Sequence, residues 1–229
     1  MRTLVAKYYL LLTTLVLLAT QGFATEYFFT GEYDEIYENP ANWYPAYPGT
    51  ELGADDKIFF QADASFAGYD IVIEGTLEIT IGARIFSREN GIIIKHTGII
   101  QNGGELLVHQ IENYGKLSNS ISARLDVTNY LAHDGAFTHN GASATFICSD
   151  RVINEGVFNN YSICDFRGSF NNKSIFNQIR ASVLKVAGTM LFWPDSKLNE
   201  STQSKSLITK KVDGNSVESQ TSEITLGSL

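Results

Sequence analysis

Hydrophobic and polar residues alternate over residues 70–81, apart from Val72 on the mostly polar side. Aliphatic side chains occupy every second position there, with Gly75 in step, at Ile71, Ile73, Leu77, Ile79 and Ile81. A period of two gives a strand one apolar face and one polar face, whereas a helix would scatter these residues around its circumference. The pattern therefore predicts a β-strand with one buried face.

A seven-residue pattern then recurs through residues 82–193. It consists of a polar residue, any residue, glycine, two mostly apolar residues, any residue, and then an amide or histidine. Five copies begin at His96, Asn113, His133, Asn154 and Asn172, and a degenerate sixth copy contains Gly188 and Met190. The steps between their central residues are 17, 20, 21, 18 and 14 residues. An irregular period near 20 is typical of a single-stranded parallel β-helix, an all-β solenoid with one coil per repeat.

Alignment of the copies predicts one apolar column between two polar ladders. The apolar column contains Ile100, Leu117, Phe137, Phe158, Phe176 and Met190. The ladder before the glycine contains His96, Asn113, His133, Asn154 and Asn172, and the ladder after it contains Asn102, Asn119, His139, Asn160 and Gln178. Stacked amides hydrogen-bond along the axis of such a coil. We therefore interpret these residues as structural, and the sequence predicts no catalytic group, metal site or cofactor.

The two cysteines lie at related positions in neighbouring copies. Cys148 precedes the central glycine of its copy by eight residues, and Cys164 precedes Ser174 by ten. With a two-residue insertion both would lie on adjacent coils at the same height, within disulfide range. The sequence leaves open a disulfide and a pair of buried thiols.

The first 24 residues have the three-part pattern of a secretory signal peptide. Arg2 and Lys7 precede an apolar run of about a dozen residues, and Gly22 and Ala24 provide small residues before the predicted cut. The run is shorter than the ~20 residues of a permanent transmembrane helix, although a retained anchor is the alternative. We expect an exported protein, periplasmic, cell-surface or extracellular, that is not integral to the membrane after cleavage.

The charge of the chain argues against one class of partner. Its formal charge is −8 at neutral pH, and loss of Arg2 and Lys7 with the signal takes it to −10. Such a surface repels phosphate backbones, so we expect no nucleic-acid binding.

Residues 25–69 are aromatic and rich in turns. They contain the runs Tyr-Phe-Phe-Thr-Gly (27–31), Asn-Pro-Ala-Asn-Trp (39–43), Pro-Gly (48–49) and Asp-Asp-Lys-Ile (55–58). This order resembles the opening of exported bacterial β-solenoid surface proteins, especially those of Bacteroidetes-type organisms, and the resemblance extends over residues 27–190. It implies a parallel β-helix at the cell surface or in the periplasm. Tyr33 and Tyr37 stand where the family pattern usually has a tryptophan.

The aromatic residues of this segment have two interpretations. Trp43, Tyr44 and Tyr47 can form a lid over the first coil, because an open β-helix end exposes strand edges. As the alternative, they can contact a carbohydrate ligand. Asp55 and Asp56 fit turn positions before the next strand better than a Ca²⁺ site.

The remaining predictions concern the tail and the function. Residues 194–229 are polar and predict a flexible C-terminal tail after the repeats of residues 70–193, with a loose terminal strand pair as the alternative. We expect a non-catalytic structural or adhesion protein whose partner is a carbohydrate or another envelope protein. The alternative is a carbohydrate-binding or polysaccharide-degrading β-helix, and a hydrolase of this kind would need two carboxylates ~5–10 Å apart. Its candidate charged residues are Glu112, Arg124, Asp126, Asp150, Arg151, Asp165 and Arg167.

Overall fold

The protein is an all-β parallel solenoid of about eight turns with roughly 20 residues per turn, as the repeat predicts. The computed structural model describes residues 24–139 and 143–213. A complete turn contributes three short strands, and the strands of successive turns stack into three faces, here called A, B and C. Strand pairing in the described residues is parallel apart from one antiparallel pair at the N-terminal end.

Face A has ten strands, one above another. In chain order they are β1 (Glu26–Phe29), β2 (Trp43–Tyr44), β4 (Lys57–Phe60), β7 (Thr76–Ile79), β10 (Ile99–Asn102), β13 (Lys116–Asn119), β16 (Ala136–His139), β19 (Val157–Asn160), β22 (Ile175–Gln178) and β24 (Lys197–Glu200). Strand β2 pairs antiparallel with β1 and so ends the stack, and a short 3₁₀ helix, Pro40–Asn42, precedes it.

Faces B and C complete each turn. Face B contains β5 (Ala64–Ser65), β8 (Arg84–Phe86), β11 (Glu105–Val108), β14 (Arg124–Val127), β17 (Thr145–Cys148) and β20 (Ile163–Phe166). Face C contains β3 (Glu51–Leu52), β6 (Ile71–Ile73), β9 (Ile92–Ile94), β12 (Ile111–Asn113), β15 (Tyr130–His133), β18 (Arg151–Asn154) and β21 (Ser169–Asn172). The long strand β23 (Val183–Phe192) spans both faces, and β25 (Lys205–Asp213) pairs along it.

The alternating segment 70–81 is two strands, not one. Residues 71–73 form β6 and residues 76–79 form β7, and a corner at Gly75 separates them. The alternation continues through the corner because both strands turn the same set of side chains inward. Ile81 lies beyond β7 at the next corner and is 89% exposed, so it does not belong to the apolar face.

A column of glycines marks the corner between faces C and A. A Cβ atom on Gly115 would lie 2.2 Å from the carbonyl oxygen of Gly98, and one on Gly135 would lie 2.1 Å from that of Gly115. One on Gly156 would lie 2.2 Å from the carbonyl oxygen of Gly135. No real Cβ atom approaches a backbone oxygen so closely, so the stacked corners require glycine here.

The predicted apolar column is the core beneath face A. Ile100, Leu117, Phe137, Phe158 and Phe176 are buried and stand in register on successive strands. Met190 was assigned to this column wrongly: it lies on β23 opposite Phe170, in face C. Leu198 takes the place above Phe176 instead, because the chain runs straight through β23 before it returns to face A.

The segment predicted as a flexible tail begins as part of the solenoid. Residues 197–200 form β24 and residues 205–213 form β25, each paired in parallel with the preceding coil. Leu198 and Ile208 pack against the core from these two strands, although polar residues surround them in the sequence. Residues 214–229 lie outside the described residues, as do residues 1–23 of the predicted signal peptide.

Residues 25–69 contribute strands as well as a lid. Strands β1 and β4 extend face A, β5 extends face B and β3 extends face C, so the solenoid begins before residue 70. Within the described ranges, no helix is long and apolar enough to cross a membrane.

Candidate functional site

The polar ladder after the glycine has the predicted register. Asn102, Asn119, Asn160 and Gln178 are buried at the ends of β10, β13, β19 and β22 in face A. Asn102 Nδ2 donates to Asn119 Oδ1 at 2.7 Å, and Gln178 Nε2 donates to Glu200 Oε1 at 3.0 Å. The backbone of His139 pairs between Asn119 and Asn160, and its side chain lies outside the described part of the chain.

The ladder before the glycine runs through the ends of four face C strands. Asn113, His133, Asn154 and Asn172 pair in register and are at most 1% exposed. Asn154 Nδ2 donates to Asn172 Oδ1 at 2.7 Å and to the carbonyl oxygen of Ile175 at 3.0 Å. These side chains tie the corner to the next strand of face A.

His96 does not belong to this ladder, contrary to the alignment. Its corner is two residues longer than the next one, so Ile94 and not His96 pairs with Asn113. The side chain of His96 is exposed, and its ring lies 5.9 Å from that of Tyr114.

His133 is held as a neutral imidazole. The amide nitrogen of Asn113 lies 2.9 Å from His133 Nδ1, and the carbonyl oxygen of Val157 lies 3.2 Å from Nε2. An amide nitrogen can only donate and a carbonyl can only accept, so Nδ1 accepts and Nε2 carries the proton. Burial lowers the pKa of His133 to about 4 from an ordinary 6.5. The residue therefore stays uncharged at neutral pH and serves as one rung of the ladder.

The cysteines are free thiols. Cys148 pairs in register with Phe166, and Cys164 pairs with Phe146, so the two cysteines are diagonal neighbours on adjacent strands. Their Cα atoms are then about 8 Å apart, beyond disulfide range. A disulfide would have required a two-residue insertion that brings the cysteines level with each other. The structure has no such insertion, so Cys148 and Cys164 remain two positions apart in the strand register. Burial raises the pKa of Cys148 to about 12, and that of Cys164 well above its ordinary value.

Trp43 lies inside the N-terminal lid. It is 6% exposed, its Nε1 donates to the carbonyl oxygen of Tyr37 at 2.6 Å, and its ring packs edge-on against Phe29 and Phe60. Tyr47 packs against the same cluster, with its ring 5.6 Å from that of Tyr37. Trp43 is therefore inaccessible to a ligand, whereas Tyr44, the next residue, is 68% exposed.

The Asn-Pro-Ala-Asn-Trp run has a structural explanation that depends on a residue the sequence analysis missed. Buried Asn42 donates from Nδ2 to Asp34 Oδ1 at 2.6 Å, and Asn39 Nδ2 donates to Asp34 Oδ2 at 2.8 Å. A backbone hydrogen bond from Ile36 and these two amides lower the pKa of Asp34. Asp34 and the two asparagines thus fix the loop that carries Trp43 into the lid.

Five of the seven charged residues considered for catalysis have a local ion-pair or hydrogen-bond partner. On face B, Arg124 lies 2.9 Å from Asp126 within β14, and Arg167, just beyond the end of β20, lies 3.6 Å from Asp165 on that strand. On face C, Tyr130 donates its hydroxyl to Glu112 at 2.8 Å. Across the described residues, no group of three or more His, Cys, Asp or Glu side chains is placed to hold a metal ion.

The outer surface of face A carries a continuous column that the sequence analysis missed. Its described side chains, in spatial order, are those of Tyr44, Phe28, Phe59, Glu78, Gln101, Ser118, Asn159, Asn177 and Asn199. Between Ser118 and Asn159 the backbone of Thr138 pairs in register, and its side chain lies outside the described part of the chain. The last three of the described side chains form an external amide ladder, in which Asn177 donates to Asn159 at 2.8 Å and Asn199 donates to Asn177 at 2.7 Å. The signal was present in the sequence, since these residues follow or precede the inward-facing ones by one position.

Comparison of the chain with known protein families, with curated proteins and with solved structures gives no match. The functional argument therefore rests on the chain's own residues. Of the surfaces described, the outer column of face A, hereafter the outer column, is the candidate functional site.

Proposed function

We propose that the protein is an exported, non-catalytic β-solenoid with a structural or adhesive role in the periplasm or at the cell surface. The observation that carries this proposal is the outer column. Nine of the ten face A strands contribute a described side chain to it, and these residues pair in register. Strands stack ~4.8 Å apart, so the column offers a partner a regular row of contacts and not a single enclosed site.

The contacts of Thr25 support export with cleavage after Ala24. The carbonyl oxygen of Thr25 accepts from the backbone N–H of Lys57 at 2.9 Å, and the nitrogen of Thr25 lies 3.1 Å from Asp56 Oδ1. Cleavage after Ala24 would turn this nitrogen into a charged α-amino group beside a carboxylate. A charge-assisted hydrogen bond is stronger than a neutral one, so processing would strengthen the start of the first coil.

The N-terminal sequence supports the same assignment. The runs at residues 39–43 and 55–58 resemble the opening of exported bacterial solenoids, and both have structural roles here. The first fixes the lid through Asn39 and Asn42, and the second carries Asp56 into contact with Thr25. An aromatic lid covers the strand edges of the first coil and so prevents them from pairing with another chain. This protection suits an exported protein.

Fractionation of a Gram-negative host that expresses the full chain tests the proposal. We expect the mature protein outside the cytoplasm, with Thr25 as its N-terminal residue by Edman degradation or mass spectrometry. The variant Ala24→Leu, which removes the small residue that signal peptidase needs, should accumulate as an uncleaved membrane-bound precursor. Labelling of intact cells with an antibody separates a surface location from a periplasmic one. Unprocessed wild-type protein in the cytoplasm would contradict export.

A further inference from the structure

We infer that residues 221–224 add the next strand of face A and so close the C-terminal end of the solenoid. These residues lie outside the described part of the chain. Two observations support the closure: the open edge that precedes them, and a repeated sequence that contains them. A closed end would leave the sides of the rod, among them the outer column, as the surface for a partner, and so goes beyond the proposed function.

The C-terminal end of the solenoid presents open strand edges. Strand β24 is the last of face A, and in the described residues it pairs with β22 alone. Strand β25 pairs only with β23 in the same part of the chain. An unpaired edge exposes backbone N–H and carbonyl groups that another strand can use. The antiparallel strand β2 ends the stack at the other end of face A, and no described strand does so here.

The chain beyond this edge repeats a sequence from the first coils. Residues 221–228 are Thr-Ser-Glu-Ile-Thr-Leu-Gly-Ser, and residues 76–83 are Thr-Leu-Glu-Ile-Thr-Ile-Gly-Ala. Five of the eight positions are identical, and two others exchange leucine for isoleucine and serine for alanine. Residues 76–79 form β7 on face A, and residues 80–83 form the corner before β8. The match therefore predicts a face A strand over residues 221–224 with a corner after it.

The length of chain before this segment allows it to reach face A. The last residue of β25, Asp213, pairs with Phe192, the residue from which the preceding coil turns towards β24. Four residues join Phe192 to Lys197 at the start of β24, and seven residues join Asp213 to Thr221. Thr221 can therefore lie beside Lys197, which places residues 221–224 in register with residues 197–200.

The contacts of β7 and its corner show how the repeated residues would bind this edge. Thr80 donates its backbone N–H at 3.0 Å and its hydroxyl at 2.9 Å to the carbonyl oxygen of Phe60 in the coil beneath. Thr225, at the matching position, would donate in the same way to the carbonyl oxygen of Glu200. The side chain before it, Ile224, would turn inward as Ile79 does.

The charges of the two segments are complementary. Residues 197–213 contain four lysines and two acidic residues, a formal charge of +2, although the whole chain carries −8. Residues 214–229 contain two glutamates, Glu218 and Glu223, and no lysine or arginine, a formal charge of −2. Opposite charges favour this pairing, whereas two copies that met at this edge would bring like charges together. The chain's own segment is therefore the occupant that the charges favour.

An engineered pair of cysteines tests both the pairing and its register. In the inferred register the Cα atoms of Asn199 and Glu223 lie about 5 Å apart, within disulfide range. The variant with Asn199→Cys and Glu223→Cys should therefore form a disulfide. The matched control combines Asn199→Cys with Thr225→Cys, whose Cα atoms would lie about 8 Å apart, beyond that range. The native cysteines are buried and common to both variants.

The experiment oxidises the full chain, as its host processes it, and measures the products by mass spectrometry and on a non-reducing gel. We expect the in-register pair to form an intramolecular disulfide at least about five times as often as the control pair. Addition of Ile224→Asp to the in-register variant should lower this yield to that of the control. Addition of Val217→Asp, an aliphatic residue of the same segment outside the repeat, should leave the yield unchanged. Circular dichroism establishes that each variant is folded.

Three results would overturn the inference. The first is a folded in-register variant that forms no more intramolecular disulfide than the control does. The second is a disulfide-linked dimer as the main product, which would make the segment of a second copy the occupant of the edge. The third is an equal effect of Ile224→Asp and Val217→Asp on the yield.

Discussion

The side-chain amide of Asn113 lies 2.9 Å from Nδ1 of His133, in a contact whose two residues are each 1% exposed. The contact exists only while Nδ1 is unprotonated, because an amide N–H cannot donate to an N–H group. Protonation of His133 would therefore break this contact of the buried ladder, and the stability of the ladder depends on pH.

Stability should fall in mild acid because of His133. Its pKa is about 4 in the folded protein and about 6.5 in the unfolded chain, so the unfolded chain binds the proton more readily. The contribution of His133 is complete above pH 6.5 and is lost as the pH falls from 6.5 to 4, by about 3 kcal/mol in total. Denaturant unfolding at a series of pH values measures it.

The control for this prediction is His133→Asn, which places an amide where neighbouring rungs of the ladder already have one. The difference in stability between the variant and the wild type should change across pH 6.5 to 4. The low pKa of Asp34 also weakens folding in acid, but it is common to both proteins and cancels in the difference. Parallel stability curves for the two proteins would show that His133 is not the group responsible.

Phe158 should be among the most sensitive positions of the core. Phe158 lies in the middle of the apolar column. The centroid of its ring is 4.2 Å from that of Phe137 and 4.6 Å from that of Phe176. Phe158→Ala leaves a cavity that the stacked coils cannot close, so it should cost ~3–5 kcal/mol of unfolding free energy. Chemical denaturation measures this cost. Val157→Ala, on the adjacent exposed position, should cost less than about 1 kcal/mol, and similar losses for both variants would contradict the column.

The inner and outer amide ladders should respond differently to the same substitution. In Asn154→Asp a buried carboxylate replaces the amide that donates to Asn172 and to the carbonyl oxygen of Ile175. A buried charge that faces two acceptors should cost at least about 3 kcal/mol. Asn159→Asp makes the same change on the outer column, where Asn159 is the acceptor for Asn177 and the carboxylate keeps that role.

The measurement for this pair is the difference in denaturation midpoint at neutral pH. We expect a large loss for Asn154→Asp and a loss of less than about 1 kcal/mol for Asn159→Asp. Both residues belong to the same coil. An equal loss of unfolding free energy for the two variants would therefore contradict the assignment of Asn154 to the inside of the solenoid and Asn159 to its outside.

The two cysteines should behave as unreactive thiols in the folded protein. Burial raises the pKa of both Cys148 and Cys164, so neither presents a thiolate at neutral pH. A thiol reagent such as Ellman's should label them only in denaturant. Intact mass measured with and without reductant provides the check: a difference of two hydrogens would mean a disulfide that the register of β17 and β20 forbids.

The sequence predicted the parts of the fold that repeat within a fixed register. Phe137, Phe158 and Phe176 recur at one position of one strand, and an alignment finds them because the strand length is constant. The corners vary in length, which is why the alignment placed His96 two residues away from the rung that Ile94 occupies. The length of a corner cannot be read from the amino-acid composition of the segment, so the alignment could not detect this change.

The C-terminal strands and the outer column were difficult to predict for different reasons. Leu198 and Ile208 anchor β24 and β25 with few apolar residues, so composition alone predicted a tail. Phe28, Phe59 and Glu78 have little in common in the sequence, and only the pairing of β1, β4 and β7 brings them into line. The sequence allows two interpretations of Trp43, because it does not show that the indole nitrogen donates to the carbonyl oxygen of Tyr37 inside the lid.

The glycine column has a consequence for how this molecule can change its length. Each glycine from Gly98 to Gly156 is confined by the backbone of the coil beneath it, so a point substitution in the middle of the column meets a backbone oxygen from the preceding corner. An additional coil with its own corner glycine would stack on its two neighbours in the same way as the existing coils do. It would bring no Cβ atom against a backbone oxygen. Insertion of one complete turn is therefore an easier change for this chain than the addition of one methyl group at a corner.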